Sequence, residues 1–187
     1  MWQPIELPYD SLPGLSRALL SAHYDLYLGY ISRLSQLSKL RTIGDPFEYG
    51  RRVAEEGFLR NAIHLHELYF ENLTPGGAGD PFDAIGDDAR YEDWKENFSA
   101  LAFASTGWAI RALDMHGHSF DFTMRAHDQG FVAGALPVLV IDSYEHAFMI
   151  DYGTDKWAYI EAVLENIDWD VVTARGQAAS AFFGQLR

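Results

Sequence analysis

Two apolar stripes at helical spacing, each carrying one histidine, constrain this chain more than any other feature. Leu15, Leu19, Leu20, His23, Leu26, Tyr27, Tyr30, Ile31 and Leu34 form the first. Phe58, Ala62, His66, Tyr69 and Leu73, at offsets of four, four, three and four, form the second. Gly44-Asp45-Pro46 breaks the pattern between them. Two amphipathic helices with a short connection bury their stripes by packing antiparallel as an αα-hairpin. The signals predict a first helix capped by Asp10 or Ser11, with Pro13 in its first turn, where a missing N–H costs little. The second helix is expected from about Glu48 to Asn72.

Beyond the hairpin, the Gly-, Pro- and Asp-rich run Thr74 to Asp88 reads as a linker. A helix over Tyr91 to Phe103 follows, then strands over Gly107 to Leu113, Ser119 to Arg125 and Leu136 to Ile141. Met115-His116-Gly117-His118 suits a hairpin turn, and helices over Lys156 to Ile167 and from Asp170 to about Phe183 end the chain. The order predicts an α+β fold: a helical hairpin (1–75), a linker (76–89), and a C-terminal domain (90–187) of helices around a three-stranded antiparallel sheet.

Composition excludes several functions. The 187 residues, 48% hydrophobic, suffice for one substantial core. A net charge of -13 disfavours nucleic acid and anionic membrane as partners, but a local field in a cleft still admits a small anionic substrate. The absence of cysteine removes disulfides, thiolate ligands and cysteine nucleophiles. Met1 to Pro13 lacks a signal-peptide pattern, and the longest apolar stretch, Phe131 to Ile141, is too short to span a bilayer. A cytoplasmic protein is expected.

Among seven histidines, any single one on an apolar helical face is ordinarily a packed core residue. His23 and His66, however, sit on faces that should meet. Asp142 ends the most apolar strand, and His146 follows four residues later. Three imidazoles and a carboxylate suit one first-row metal ion. His64 lies two residues from His66 and points elsewhere, while His116 and His118 fall in the expected turn. Both pairs have H-x-H spacing without further support.

Asp142-Ser-Tyr-Glu-His146-Ala147, followed by Tyr152, resembles the D-x-W-E-H-A-(x)n-Y signature of the iron/manganese superoxide dismutases. Other segments carry the resemblance along the chain. Glu6-Leu-Pro-Tyr-Asp-Ser-Leu12 resembles the family's opening, and His23-Tyr24 its first ligand and the tyrosine after it. His66, nine residues before Pro75, resembles the second ligand. Ser105-Thr-Gly-Trp108 is similar to G-S-G-W, and Asp168-Trp169-Asp170 to N-W-E/D.

The resemblance implies a homodimeric oxidoreductase holding one Fe or Mn per subunit through His23, His66, Asp142 and His146, and converting superoxide to oxygen and hydrogen peroxide. His127 matches the sheet position of a residue that hydrogen-bonds metal-bound solvent, although a strand-end surface histidine is its ordinary alternative. Ala62 stands where the iron type has glutamine, and iron versus manganese stays open. Trp108 and Trp169 would wall the site, Tyr27 would position solvent or protons, and Glu145 would reach the partner subunit.

The departures cluster at the substrate entrance. The gateway tyrosine, eight residues after the first ligand, is Ile31; the histidine four after it is Tyr27. That histidine's partner across the dimer is Met149, the motif tryptophan is Tyr144, and the tryptophan before the second ligand is His64. Tyr30, one residue and about 100° of helix from the gateway position, looks a poor substitute without a register shift. The alternative reading is therefore a repurposed metalloenzyme acting on an organic substrate as oxidase, isomerase or Lewis acid. A metal-storage or interaction protein is the non-enzymatic one.

Overall fold

The computed structural model describes residues 2–39, 44–85 and 88–186. Helices α1 (Arg17–Leu37) and α2 (Pro46–Glu71) form the expected hairpin. Asp45 caps α2 by accepting from Phe47 N at 2.8 Å, and Pro46 occupies its first turn. The buried faces carry His23, Tyr27, Ile31 and Leu34 on α1, and Ala62, Ile63, His66, Tyr69 and Phe70 on α2.

The expected helix start at Asp10 or Ser11 is wrong. Leu12 and Leu15 exchange backbone hydrogen bonds across a tight Pro13-Gly14 turn, and Ser16 caps α1 instead. Gly14 has φ +76°, the conformation that glycine supplies after proline in such a turn. A Cβ there would also lie 2.8 Å from the Ala162 side chain. The turn is thus fixed by a contact far along the chain.

The segment expected to be a linker is tied down over its first part. Thr74 N and Ala78 N donate to Asn166 O and Ile167 O, and Trp169 N donates back to Ala78 O. Close approach explains the glycines: a Cβ on Gly77 would meet Glu165 O at 2.9 Å, and one on Gly79 would meet Asp170 N at 2.6 Å. Pro81–Ile85 is a helix, α3. Of the expected linker, residues 86 and 87 lie outside the described residues, and α4 (Asp88–Ala104) begins at once after them.

Strands β1 (Trp108–Leu113), β2 (Ser119–Met124) and β3 (Leu136–Asp142) form an antiparallel sheet in the order β2-β1-β3. Pro137 is tolerated because β3 is an edge strand. Its free edge is covered: Asn72 donates to Val140 O at 2.9 Å, and Arg175 donates to Val138 O at 3.4 Å. A 3-10 turn (Glu145–Ala147), α5 (Met149–Tyr152), α6 (Lys156–Glu165) and α7 (Trp169–Gln185) complete the α+β fold. β1–β3 pairing places Asp142 opposite Trp108, where α1 and α2 pack against the sheet. No helix among the described residues is long and apolar enough to cross a membrane.

Candidate metal centre

His23 comes from the middle of α1, His66 from α2, Asp142 from the end of β3 and His146 from the 3-10 turn. One ligand-type atom from each lies within 4.8 Å of the other three. His23 Nε2 and His146 Nε2 each stand 3.1 Å from Asp142 Oδ2, and His66 Nε2 stands 3.7 Å from it. His23, His66 and Asp142 are buried, whereas the His146 side chain is 29% exposed, which makes it the solvent-facing member.

Proton positions favour a cation in this arrangement. His66 Nδ1 is 2.6 Å from Ala62 O and must donate to it, so His66 Nε2 carries a lone pair. That nitrogen is buried, has no hydrogen-bond partner among the described residues, and faces a carboxylate oxygen. Two lone pairs directed at each other in a dry site repel unless a positive charge lies between them. Burial lowers His66 to about 3, so it stays neutral at physiological pH. Burial alone would raise the Asp142 carboxyl, but the imidazoles of His146 and His23 hold it well below the usual carboxylate range. Three imidazole nitrogens and one carboxylate oxygen form a donor set that fits a first-row metal ion. Asp142 is itself held by Tyr144 N, which donates to Oδ1 at 2.9 Å, and by Tyr159 Oη, which donates to its backbone carbonyl at 2.7 Å.

Aromatic rings enclose the cluster. His23 packs against Tyr69 and Phe70, and His66 against Trp108, all with centroids 5.0 Å apart. Tyr144 stacks on His146 at 5.2 Å. Trp169 is not part of this wall; it packs on Tyr91 and Trp94, joining α7 to α4. The motif identified its chain position but not the direction of its ring.

His127 is 2% exposed, not a surface residue. Trp108 Nε1 donates to His127 Nδ1 at 3.0 Å, and Asn61 fixes the loop by donating to His127 O at 2.7 Å. His127 Nε2 meets the Tyr30 hydroxyl at 3.2 Å. The expectation that Tyr30 is badly placed is therefore wrong. It lies seven residues after His23, nearly two full turns, and shares the His23 face. That signal was present in the sequence when counted from the histidine. The structure also corrects Tyr27, whose hydroxyl donates to Glu67 Oε1 at 2.8 Å and accepts from Ile5 N at 3.0 Å. Its ring stacks on His66 at 6.3 Å between centroids, but the hydroxyl faces the N-terminal segment, where Trp2 Nε1 bonds the same Glu67 oxygen at 2.7 Å. Ile31 is buried, His64 is exposed beside Trp2, and Glu145 is exposed. Sequence reasoning also missed Asn61 and the buried Tyr69–Tyr159 hydroxyl pair behind Asp142.

A helical hairpin and a small sheet that converge on three histidines and one aspartate define an α+β protein able to hold a single metal ion. The sequence model of the iron/manganese superoxide dismutase C-terminal domain matches residues 84–175. Superoxide dismutase (Mn) 1 of Halobacterium salinarum is 30% identical over 96% of each chain. Superoxide dismutase (Fe) of Aquifex pyrophilus is 32% identical over 95% of this chain and 92% of its own. Superoxide dismutase (Mn) of Haloarcula marismortui is 34% identical over 89% and 88%. The chain belongs to the iron/manganese superoxide dismutase family, whose members are metal-dependent oxidoreductases.

Proposed function

We propose that the protein is a homodimeric superoxide dismutase holding one Fe or Mn per subunit through His23, His66, Asp142 and His146. The observation that carries this reading is the buried, unpartnered His66 Nε2 facing Asp142 Oδ2. A bound Fe or Mn supplies one-electron steps between the +2 and +3 states. Two superoxide ions and two protons give one oxygen and one hydrogen peroxide, so the protein's own task is to hold ligands and deliver protons.

Trp108 and Tyr30 serve the second task. Because the indole donates to His127 Nδ1, the neutral imidazole carries its proton on Nε2 and donates it to the Tyr30 oxygen. The Tyr30 O–H is then available to another acceptor on the site side, next to His66 at 5.4 Å between ring centroids. Burial, together with the Asp142 charge, raises the Tyr30 pKa and keeps that proton in place at neutral pH. Tyr30 thus supplies the hydroxyl that Ile31 lacks, which weakens the main motive for a repurposed enzyme.

The test is a dismutation assay on protein reconstituted separately with Fe and with Mn, with metal quantified. Turnover with either ion supports the reading. Full occupancy with negligible turnover for both would overturn it in favour of an organic substrate. His66→Ala and Asp142→Ala should each remove stoichiometric metal; full occupancy in either variant would refute the ligand assignment.

A further inference from the structure

We propose a second metal site at the β1–β2 turn, where Asp114, His116 and His118 bind one borderline divalent ion of the Zn2+, Ni2+ or Cu2+ class. It lies outside the three-histidine centre and uses none of its residues. The turn is built around one carboxylate. Asp114 Oδ1 accepts from His116 N at 2.7 Å and from His118 N at 2.9 Å. Asp114 N donates to His118 O, Gly117 N donates to Asp114 O, and Gly117 takes φ +85° to close the loop. Both backbone donors are spent on Oδ1, which fixes the carboxylate and leaves Oδ2 to face the His118 ring. A ligating carboxylate held by hydrogen bonds of this kind is what a preformed metal site requires.

Two donor atoms already have ligand spacing. His118 Nδ1 lies 3.4 Å from Asp114 Oδ2. Two atoms each about 2.1 Å from a tetrahedral ion are about 3.4 Å apart, so the pair spans one edge of a Zn2+ coordination tetrahedron. The His116 and His118 ring centroids are 6.3 Å apart. A ring bound through nitrogen has its centroid about 3.2 Å from the ion, so two rings on a tetrahedral ion sit about 5.2 Å apart. The observed spacing is about 1 Å wider, so the two rings must close on the ion when it binds. His116 is exposed, and the site requires its ring to rotate towards His118 and Asp114 on binding.

The donor set also selects the ion. Met115 could have added a soft sulfur, but its thioether is turned against Gly134, where a Cβ would meet the sulfur at 2.8 Å. Two imidazoles and a carboxylate favour borderline divalent ions over Cu(I), and over Mg2+ or Ca2+, which prefer all-oxygen sites. The remaining position is open to water.

The experiment is a calorimetric titration of Zn2+ into Fe- or Mn-loaded protein, with Fe or Mn counted before and after. One Zn2+ equivalent of micromolar affinity is expected, with the resident metal retained. His118→Ala and Asp114→Asn should each weaken it tenfold or more while leaving dismutation unchanged; the asparagine keeps the Oδ1 acceptor and so preserves the turn. No such equivalent in the parent protein, entry of Zn2+ only by displacement of Fe or Mn, or equal affinity in the variants overturns the proposal. Loss on His64→Ala but not His118→Ala would do the same, by assigning the ion to the other H-x-H pair.

Discussion

His127 has one ring nitrogen committed to the Trp108 indole and the other to the Tyr30 hydroxyl, so two predictions meet at this residue. Tyr30→Phe removes the hydroxyl and should lower dismutase turnover about tenfold or more at unchanged metal content, within the range of a lost proton-transfer group. Tyr27→Phe removes bonds to Glu67 and Ile5 instead. It should cost about 1 kcal/mol of stability and leave turnover nearly intact. Rapid-mixing kinetics on both variants would reverse the assignment if only the second were slow. The other prediction concerns acid. Burial lowers His127 to about 4, whereas the unfolded chain protonates it near its ordinary 6.5. The unfolded state binds more protons between these values. The residue's contribution to stability is therefore full above about pH 6.5 and lost as pH falls through about 4, amounting to roughly 3 kcal/mol across the window. Denaturation midpoints followed from pH 6.5 to 4.5 should fall more steeply for the parent than for His127→Gln; parallel curves would dismiss the effect. At this scale the sequence disclosed residue identity better than orientation. His23, His66, Asp142 and His146 were legible because motif spacing ties each to a particular helix face or strand end. The Trp169 ring and the Tyr27 hydroxyl were misread because their directions depend on Trp94 and Glu67, partners that no local pattern specifies.

At the scale of elements, the ends of helices decide how the layers dock. Ser16 Oγ accepts from Leu19 N at 3.1 Å and donates to Asp151 Oδ1 at 2.6 Å, so one side chain caps α1 and pins it to α5. Ser16→Ala should lower stability by about 1 to 2 kcal/mol, read as a lower urea midpoint at unchanged slope. A shift within error would show that the Ser16 backbone N–H, which donates to Asp151 Oδ2 at 2.7 Å, holds the junction alone. The strands were legible beforehand because β3 is a short apolar run and Asp114 to His118 carries turn chemistry between β1 and β2. The start of α1 was not. Asp10, Ser11 and Pro13 are all good helix-start residues, and only the contact of Gly14 with Ala162 shows why the chain turns first. The same holds for Gly77 and Gly79. Their composition reads as a flexible tether, yet each is a glycine because the α6–α7 junction presses against it.

Across the whole molecule, the surface nearest the exposed ligand is the one on which a second copy should dock. Glu145 is exposed immediately before His146, and Met149 and Ile150, 49% and 55% exposed, follow on α5. Neighbouring exposed apolar side chains beside a polar group are the usual make-up of an interface. A dimer closed there would cover the solvent-facing side of His146 and bring each Glu145 towards the other subunit's site. The net charge of -13 per chain opposes this association at long range, while the apolar contact favours it at short range. Salt screens the first and barely touches the second. Sedimentation at micromolar concentration should therefore show a dimer whose dissociation constant falls as ionic strength rises from about 0.01 to 0.15 M, where the Debye length shrinks from about 30 to 8 Å. Met149→Arg should shift the equilibrium to monomer and lower turnover with the metal retained. A parent protein that is monomeric under these conditions would remove Glu145 from the site. A dimer that loosens with salt would mean that surface ion pairs, not Met149 and Ile150, hold the two subunits together.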